Sequence, residues 1–252
     1  MSTIDGGWRG PNIVKDGLVL YLDAGSPNSY YGGRGTVWKD MSGNGNNGTL
    51  TNGPTFNSGN GGSIVFDGVD DYVDLGVIPN LQFSNIQAFS VSIWVYWTPI
   101  GATLTTLFSY GHVAGSNPDS GDEGYYITLD NGVLRSRSFL FDYYDGSAAR
   151  SIQGNVNVVP TNSWINLVCI SGGNNDTSND VTYIDGALIS TTSRRNQSPS
   201  TINYSVSAVN VAARDSKATI NSRVSSVSVY NRALSATEVL QNFNATRARF
   251  GI

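Results

Sequence analysis

A chain of 252 residues, 39% of them hydrophobic, can bury one sizeable core, and a β-sandwich of this length is commonly a single domain. Charged residues make up 13%, about half the usual ~25%, and Gly, Asn, Ser and Thr take their place; such a composition favours short strands and tight turns over helix. The net charge of -4, with three lysines far apart and scattered arginines, excludes the basic stripe of a nucleic-acid binder.

In chain order, residues 1–16 are polar and Gly-rich and read as an extended N-terminal arm, floppy or ordered on a partner. Residues 17–252 read as one domain. "GLVLYLDAG" (Gly17 to Gly25) is a first strand, apolar on both faces. The Asn/Gly tract from Asp40 to Gly62 reads as a series of turns, because Asn and Gly tolerate positive φ. "SIVF" and "YVDL" are strands flanking the turn at Asp67-Gly68. "FSVSIWVYW" is the clearest strand: Phe89, Val91, Ile93, Val95 and Trp97 alternate with Ser90, Ser92, Trp94 and Tyr96. Asn131-Gly132 and Asp185-Gly186 each stand between two strand-like runs and predict hairpins. "WINLVCI" and "VSSVSVYNRAL" supply further strands. Cys169, the single cysteine, falls inside the first of these and reads as a small buried hydrophobe.

The last segment differs. Ser235 followed three residues on by Glu238 is a capping box, and Leu234 with Val239 fits a hydrophobic staple. Val239, Leu240 and Phe243 fall on one helical face, Arg247 and Arg249 suit the C-terminal dipole, and Gly251 can end the helix. The elements together predict an all-β sandwich of two antiparallel sheets with one short C-terminal helix. No run approaches the ~18 apolar residues of a membrane span. The opening "MSTIDGGWRGPN" lacks a signal-peptide pattern, so synthesis in the cytoplasm without export is expected.

Six stretches in order, "WKDMSGNGNNGTL", "IVFDGVDDYV", "FSVSIWVYW", "WINLVCI", "VTYIDG" and "SVYNRALSATEV", resemble the concanavalin A-like lectin/glucanase superfamily in its laminin-G-like branch. The resemblance runs from about Gly17 to Phe250. It implies a jelly-roll sandwich, and a fold of this kind serves lectins, glycoside hydrolases and adhesion modules alike. The turn style and the "YNRALSATEV" ending are also similar to bacteriophage virion proteins. That likeness implies a non-enzymatic structural or adhesive protein on the virion surface, as capsid decoration or part of a tail or fibre. Its partners would be other virion proteins, further copies of itself and a host-surface glycan. A free or cell-surface glycan-binding lectin is the alternative, and a glycoside hydrolase a more distant one.

Catalysis finds few groups. Hydrolases of this superfamily place two Glu with an Asp between along one strand, whereas Glu123 and Glu238 are the only glutamates here. His112 is the only histidine, which leaves a nucleophilic triad or a His/Cys zinc site short of members. No catalytic residue is therefore assigned. The acidic stretch "FDGVDDYVDLG" reads first as a turn, with Asp67 bonding nearby backbone N–H groups. No cofactor is required. Calcium is the one metal considered, with Asp70, Asp71, Asp119, Asp122 and Glu123 as candidate oxygen ligands, by analogy with relatives that hold it at a sheet edge. A sugar site needs an aromatic platform beside polar groups. Tyr30-Tyr31 and Tyr143-Tyr144 are the candidate pairs, against the commoner use of such rings in packing.

Overall fold

Phe89, Val91, Ile93, Val95 and Trp97 are all buried, as their alternation predicts, and their strand runs through the middle of the molecule. The computed structural model describes residues 12–84, 86–99, 104–112, 123–132, 138–145, 148–173, 177–196, 208–214, 217–218 and 220–252. In chain order its strands are β1 (Leu18–Asp23), β2 (Val37–Trp38), β3 (Gly48–Thr51), β4 (Thr55–Asn57), β5 (Ser63–Asp67), β6 (Tyr72–Gly76), β7 (Phe89–Trp97), β8 (Leu104–His112), β9 (Glu123–Asp130) and β10 (Ser138–Asp145). There follow β11 (Ala149–Gly154), β12 (Trp164–Ser171), β13 (Val181–Ile184), β14 (Ala187–Ile189), β15 (Thr191–Asn196), β16 (Val209–Val211), β17 (Ala213–Arg214), β18 (Lys217–Ala218) and β19 (Asn221–Tyr230). Helix α1 (Ala236–Thr246) and a 3-10 turn (Arg247–Phe250) close the chain.

An eight-stranded sheet is ordered β14-β13-β12-β7-β19-β5-β4, with β1 also paired to β19. A nine-stranded sheet is ordered β15-β11-β10-β9-β8-β16-β6-β3-β2. The pairings are antiparallel. Register lines up the core. Leu167, Ile93, Val227 and Leu22 form one inward row across the first sheet. Leu50, Val73, Val211, Phe108, Ile127, Phe141 and Ile152 form the facing row across the second. All of them belong to one buried cluster, the interior of a two-sheet jelly roll. Cys169 is among them, and burial pushes its thiol up to about 12.

The hairpins form as expected, with one difference. Ile184 faces Ala187, so Asp185 and Gly186 make a two-residue turn with both φ positive. Asp130 faces Ser138, which leaves seven residues between β9 and β10 rather than the two that Asn131-Gly132 suggested. There the Asp130 carboxylate accepts from the Gly132 N–H at 2.7 Å and turns the chain before any tight reversal.

The outer face of the eight-stranded sheet is covered too. Ser235 and Glu238 make the capping box, and Leu234 and Val239 are buried in one cluster with Val14, Val168, Ile170 and Tyr230. Trp94 stacks on Phe250 at 4.0 Å and Phe243 at 5.8 Å. Leu240, expected on the buried face, is 48% exposed, because the helix turns Val239, Asn242 and Phe243 inward instead. The start of the chain joins this layer. The Val14 N–H donates to Asn242 Oδ1 at 2.8 Å, Tyr230 Oη donates to the Val14 carbonyl, and Gln241 Nε2 donates to the Asn12 carbonyl. The expected arm is therefore packed from residue 12 onward; residues 1–11 lie outside the described residues.

Three polar devices fix the rest. The tract from Asp40 to Gly62, expected to be turns throughout, also carries β3 and β4; its opening residues are turns folded around one carboxylate. Asp40 accepts from the N–H of Tyr21, Ser42 and Asn46 and from Ser42 Oγ, while Asn44 and Asn46 donate to the Val19 carbonyl. Arg249 Nη1 donates to both Asp23 carboxylate oxygens at 2.9 Å, and Nη2 donates to Ser225 Oγ. A Cβ on Gly25 would lie 2.0 Å from its guanidinium, so the glycine leaves the channel open. Arg150 of β11 is buried against Asp180 (3.2 Å) and Ser171 (2.6 Å), tying the nine-stranded sheet to the end of β12.

Two outcomes follow for stability. Arg249→Ala strands a buried Asp23 carboxylate and should cost about 2–4 kcal/mol in urea unfolding, near the lower end for a buried pair because the arginine is partly exposed. The Arg232 guanidinium, helped by the Ser235 N–H, holds the Glu238 carboxyl down at about 2. With the folded value depressed, its contribution is present above the ordinary 4.5 and lost as pH falls through about 2. Glu238→Gln should therefore lower Tm at pH 7 and remove that part of the acid slope, measured by circular dichroism melts from pH 7 to 2.

Candidate functional site

β5 ends at Asp67, and Gly68, at φ +81, bends the chain toward β6. The Val69 N–H donates to Asp67 Oδ1 at 2.8 Å, and the Asp67 N–H donates to Asp71 Oδ2 at 3.1 Å. Carboxylate oxygens of Asp67, Asp70 and Asp71 come within 4.8 Å of one another. Asp71 is only 4% exposed; desolvation first, and the neighbouring Asp67 and Asp70 charges after it, raise its pKa above the ordinary carboxylate range. Asp74 stands apart on β6, accepting from the Gly76 N–H.

The turn reading thus accounts for Asp67, and the structure joins it to the two calcium candidates Asp70 and Asp71. Asp119 and Asp122 lie outside the described residues, as does the side chain of Glu123, whose backbone opens β9. Asp67 and Asp70 are exposed and Val69 is 74% open, so the three acids cap a protruding turn. Oxygens so grouped suit a hard cation better than a reaction that needs a cleft.

The tyrosine pairs separate. Tyr143 points into the core, 2% exposed, and donates from Oη to the Phe83 carbonyl at 3.1 Å. Tyr144 points to the opposite face and is also buried, edge-on to Tyr126. Tyr30 is buried against Phe56 and donates to the Gly35 carbonyl. These three are corrected from sugar platforms to packing residues, since a ring without exposed faces cannot stack on a sugar.

Tyr31 is different, at 63% exposed. Ser29 anchors the loop before it: Ser29 Oγ donates to the Lys39 carbonyl, and the Lys39 N–H donates to the Ser29 carbonyl. Gly32, Gly33 and Gly35 all have positive φ, and their turn returns the chain to β2. Between loop and strand lies a groove of about 320 Å3, walled by Tyr31, Arg34, Thr36, Val37 and Lys39. The Arg34 guanidinium lies 5.6 Å from the Tyr31 ring centre. Sequence reading reached Tyr31 but missed Arg34 and Lys39. The available signal was a cation three residues beyond a tyrosine pair in a Gly-rich turn.

At the acidic turn, the Asp71 charge opposes folding at neutral pH. Its folded pKa is raised, so the stability it lends is full below the ordinary value of 3.8 and declines as pH rises through the raised one. Asp71→Asn should raise Tm at pH 7 and flatten this decline. Wild-type Tm should stay flat with EDTA and with added calcium; a calcium-dependent rise abolished in Asp71→Asn would instead give the turn to the metal.

Comparison with known proteins adds the following. A family model described as the concanavalin A-like lectin/glucanases superfamily (Laminin_G_3) matches residues 67–240. No curated protein matches the chain. Among solved structures, the binding domain of Paraclostridial Mosquitocidal Protein 1 is similar with TM-score 0.66 and 19% identity over 92% of this chain and 52% of that one. The binding domain of botulinum neurotoxin serotype G gives 0.62 and 16%, over 90% and 50%. The Trypanosoma rangeli sialidase solved with sialic acid gives 0.60 and 14%, over 92% and 33%. The chain thus spans about half the length of the two toxin domains and a third of the sialidase, and at these identities the likeness is one of fold. The Tyr31 groove lies before the first residue of the family match. Matched over most of its length by that model, and built as the two-sheet jelly roll described above, the chain belongs to the concanavalin A-like lectin/glucanase superfamily through its laminin-G-like family.

Proposed function

We propose that the chain is a non-enzymatic, carbohydrate-binding, lectin-like module whose contact site is the Tyr31 groove. The exposed Tyr31 ring on the wall of a 320 Å3 groove carries this reading. It offers a sugar an apolar face, and Thr36 adds a hydroxyl beside it. Similarity to two toxin binding domains accords with a binding role. The acid–base inventory supports the absence of catalysis. Glu238 is held in the helix cap and pinned by Arg232, so it is ionised at neutral pH and has no proton to give. Glu123 is then the one glutamate left for the two-Glu arrangement of this superfamily's hydrolases.

We further place the module on the surface of a bacteriophage particle, with virion proteins and other copies as partners. The turn style of residues 42–56 and the "YNRALSATEV" ending support this placement. Mass spectrometry of purified particles should find its peptides, and their absence would remove the virion without touching the sugar.

A glycan array tests the binding reading. Wild type should give signal, and Tyr31→Ala should lose about tenfold or more with Tm unchanged. Tyr143→Ala should instead cost about 3–5 kcal/mol of stability, as deletion of a buried ring does. A wild type silent across the array would overturn the reading.

A further inference from the structure

We infer that the Tyr31 groove selects an acidic saccharide, a sugar bearing a carboxylate or a sulfate, with Arg34 and Lys39 taking the anion and Tyr31 the ring. The inference rests on the carbohydrate-binding reading above and specifies its substrate class.

The charge pattern carries it. The protein holds 19 acidic against 15 basic residues, yet the groove is lined by two cations and no acid. Elsewhere three of the described cations are held by acids, and three others lie over single rings. Arg150 is paired with Asp180, Arg232 with Asp16 and Glu238, and Arg249 with Asp23. Arg223 sits 4.0 Å over Tyr96, Arg247 over Phe243 and Lys15 over Tyr21. Among the described residues the Arg34 guanidinium has the Tyr31 ring beside it and no acid, which leaves its N–H fork for a bidentate anion. Among cations whose side chains are described, Lys39 alone has neither an acid nor a ring. The nearest acid in sequence, Asp40, is taken up by three donors of its own loop and by the Tyr21 N–H of β1. Two positive charges on one groove, neither with an acid partner among the described residues, stand beside an exposed ring and match a ligand that presents an anion next to a flat apolar face. A neutral sugar would leave both charges without a counterpart.

Calorimetry and ligand-observed NMR on the full chain test this with four probes: 3′-sialyllactose, a heparin-derived disaccharide, neutral lactose and sodium sulfate. The first two separate a carboxylate ligand from a sulfate one. At least one acidic saccharide should bind about tenfold or more tightly than lactose, and more weakly as NaCl rises from 50 to 500 mM. Arg34→Gln and Lys39→Gln should each lower that affinity about three- to tenfold, and Lys39→Arg should retain it. Both residues are exposed, so Tm should not move. Lactose binding as tightly as the acidic probes, or indifference to both Gln variants while Tyr31→Ala abolishes binding, would overturn the inference and leave the carbohydrate reading standing. Sulfate competing as well as the acidic saccharide would also overturn it, as the sugar would then contribute nothing. No binding of any saccharide would remove both.

Discussion

Burial of the eight-stranded sheet on both faces is the constraint from which the rest follows. Its inner face is apolar and closes on the second sheet, as in any sandwich. Its outer face is mixed: β7 turns Ser90, Ser92 and Trp94 outward, β12 adds Asn166 and β19 adds Ser226 and Ser228. A buried hydroxyl or amide without a partner is costly, so whatever covers this face has to supply matching polar groups. The C-terminal segment does so for Ser90 and Trp94. Ser90 Oγ donates to the Arg232 carbonyl and accepts from the Leu234 N–H, and Trp94 Nε1 donates to Thr246 Oγ1. Asn166 Nδ2 donates to Ser92 Oγ within the sheet. The helix is thereby a second layer of the core.

That layer explains why the two ends of the sequence look unlike its middle. The helix needs a strong start, because eleven residues hold little helix by themselves, and the capping box with Arg232 provides one. Asn242, midway along the helix, is nearly buried because it bonds both Val14 and Tyr230. With its buried side used in this way, the helix is a fixed part of the scaffold on which the Tyr31 loop stands.

Much of this was legible in the residues. Period-two alternation marked β7, the Asp185-Gly186 pair marked its hairpin, and Ser235 with Glu238 marked the helix start. Each is a local signal, set by neighbours a few positions away. What depended on distant partners was hidden. Asp40 reads as one acid in a polar tract until Tyr21 and Val19 are beside it. The candidate tyrosines show the same limit. Adjacent residues point to opposite sides, so Tyr30 enters the core while Tyr31 faces solvent. In β10 alternation also held, but both faces there are covered, and neither ring remains accessible. Arg34 and Lys39 became a pair only once the Gly-rich turn brought loop and strand to one groove.

The seat of Arg249 between Asp23 and Ser225 bears on the order of assembly. Its partners lie on β1 and in the bulge of β19, and the guanidinium passes close beside Gly25 and Gly61. The side chain spans 226 positions to reach Asp23, a closure that costs entropy before it returns any contact. The seat does not exist until β1 and β5 have both docked on β19. The last turn can therefore lock only after the sheet it locks is complete. A chain still emerging from the ribosome would hold the Asp23 carboxylate without its counter-ion until Arg249 had been made.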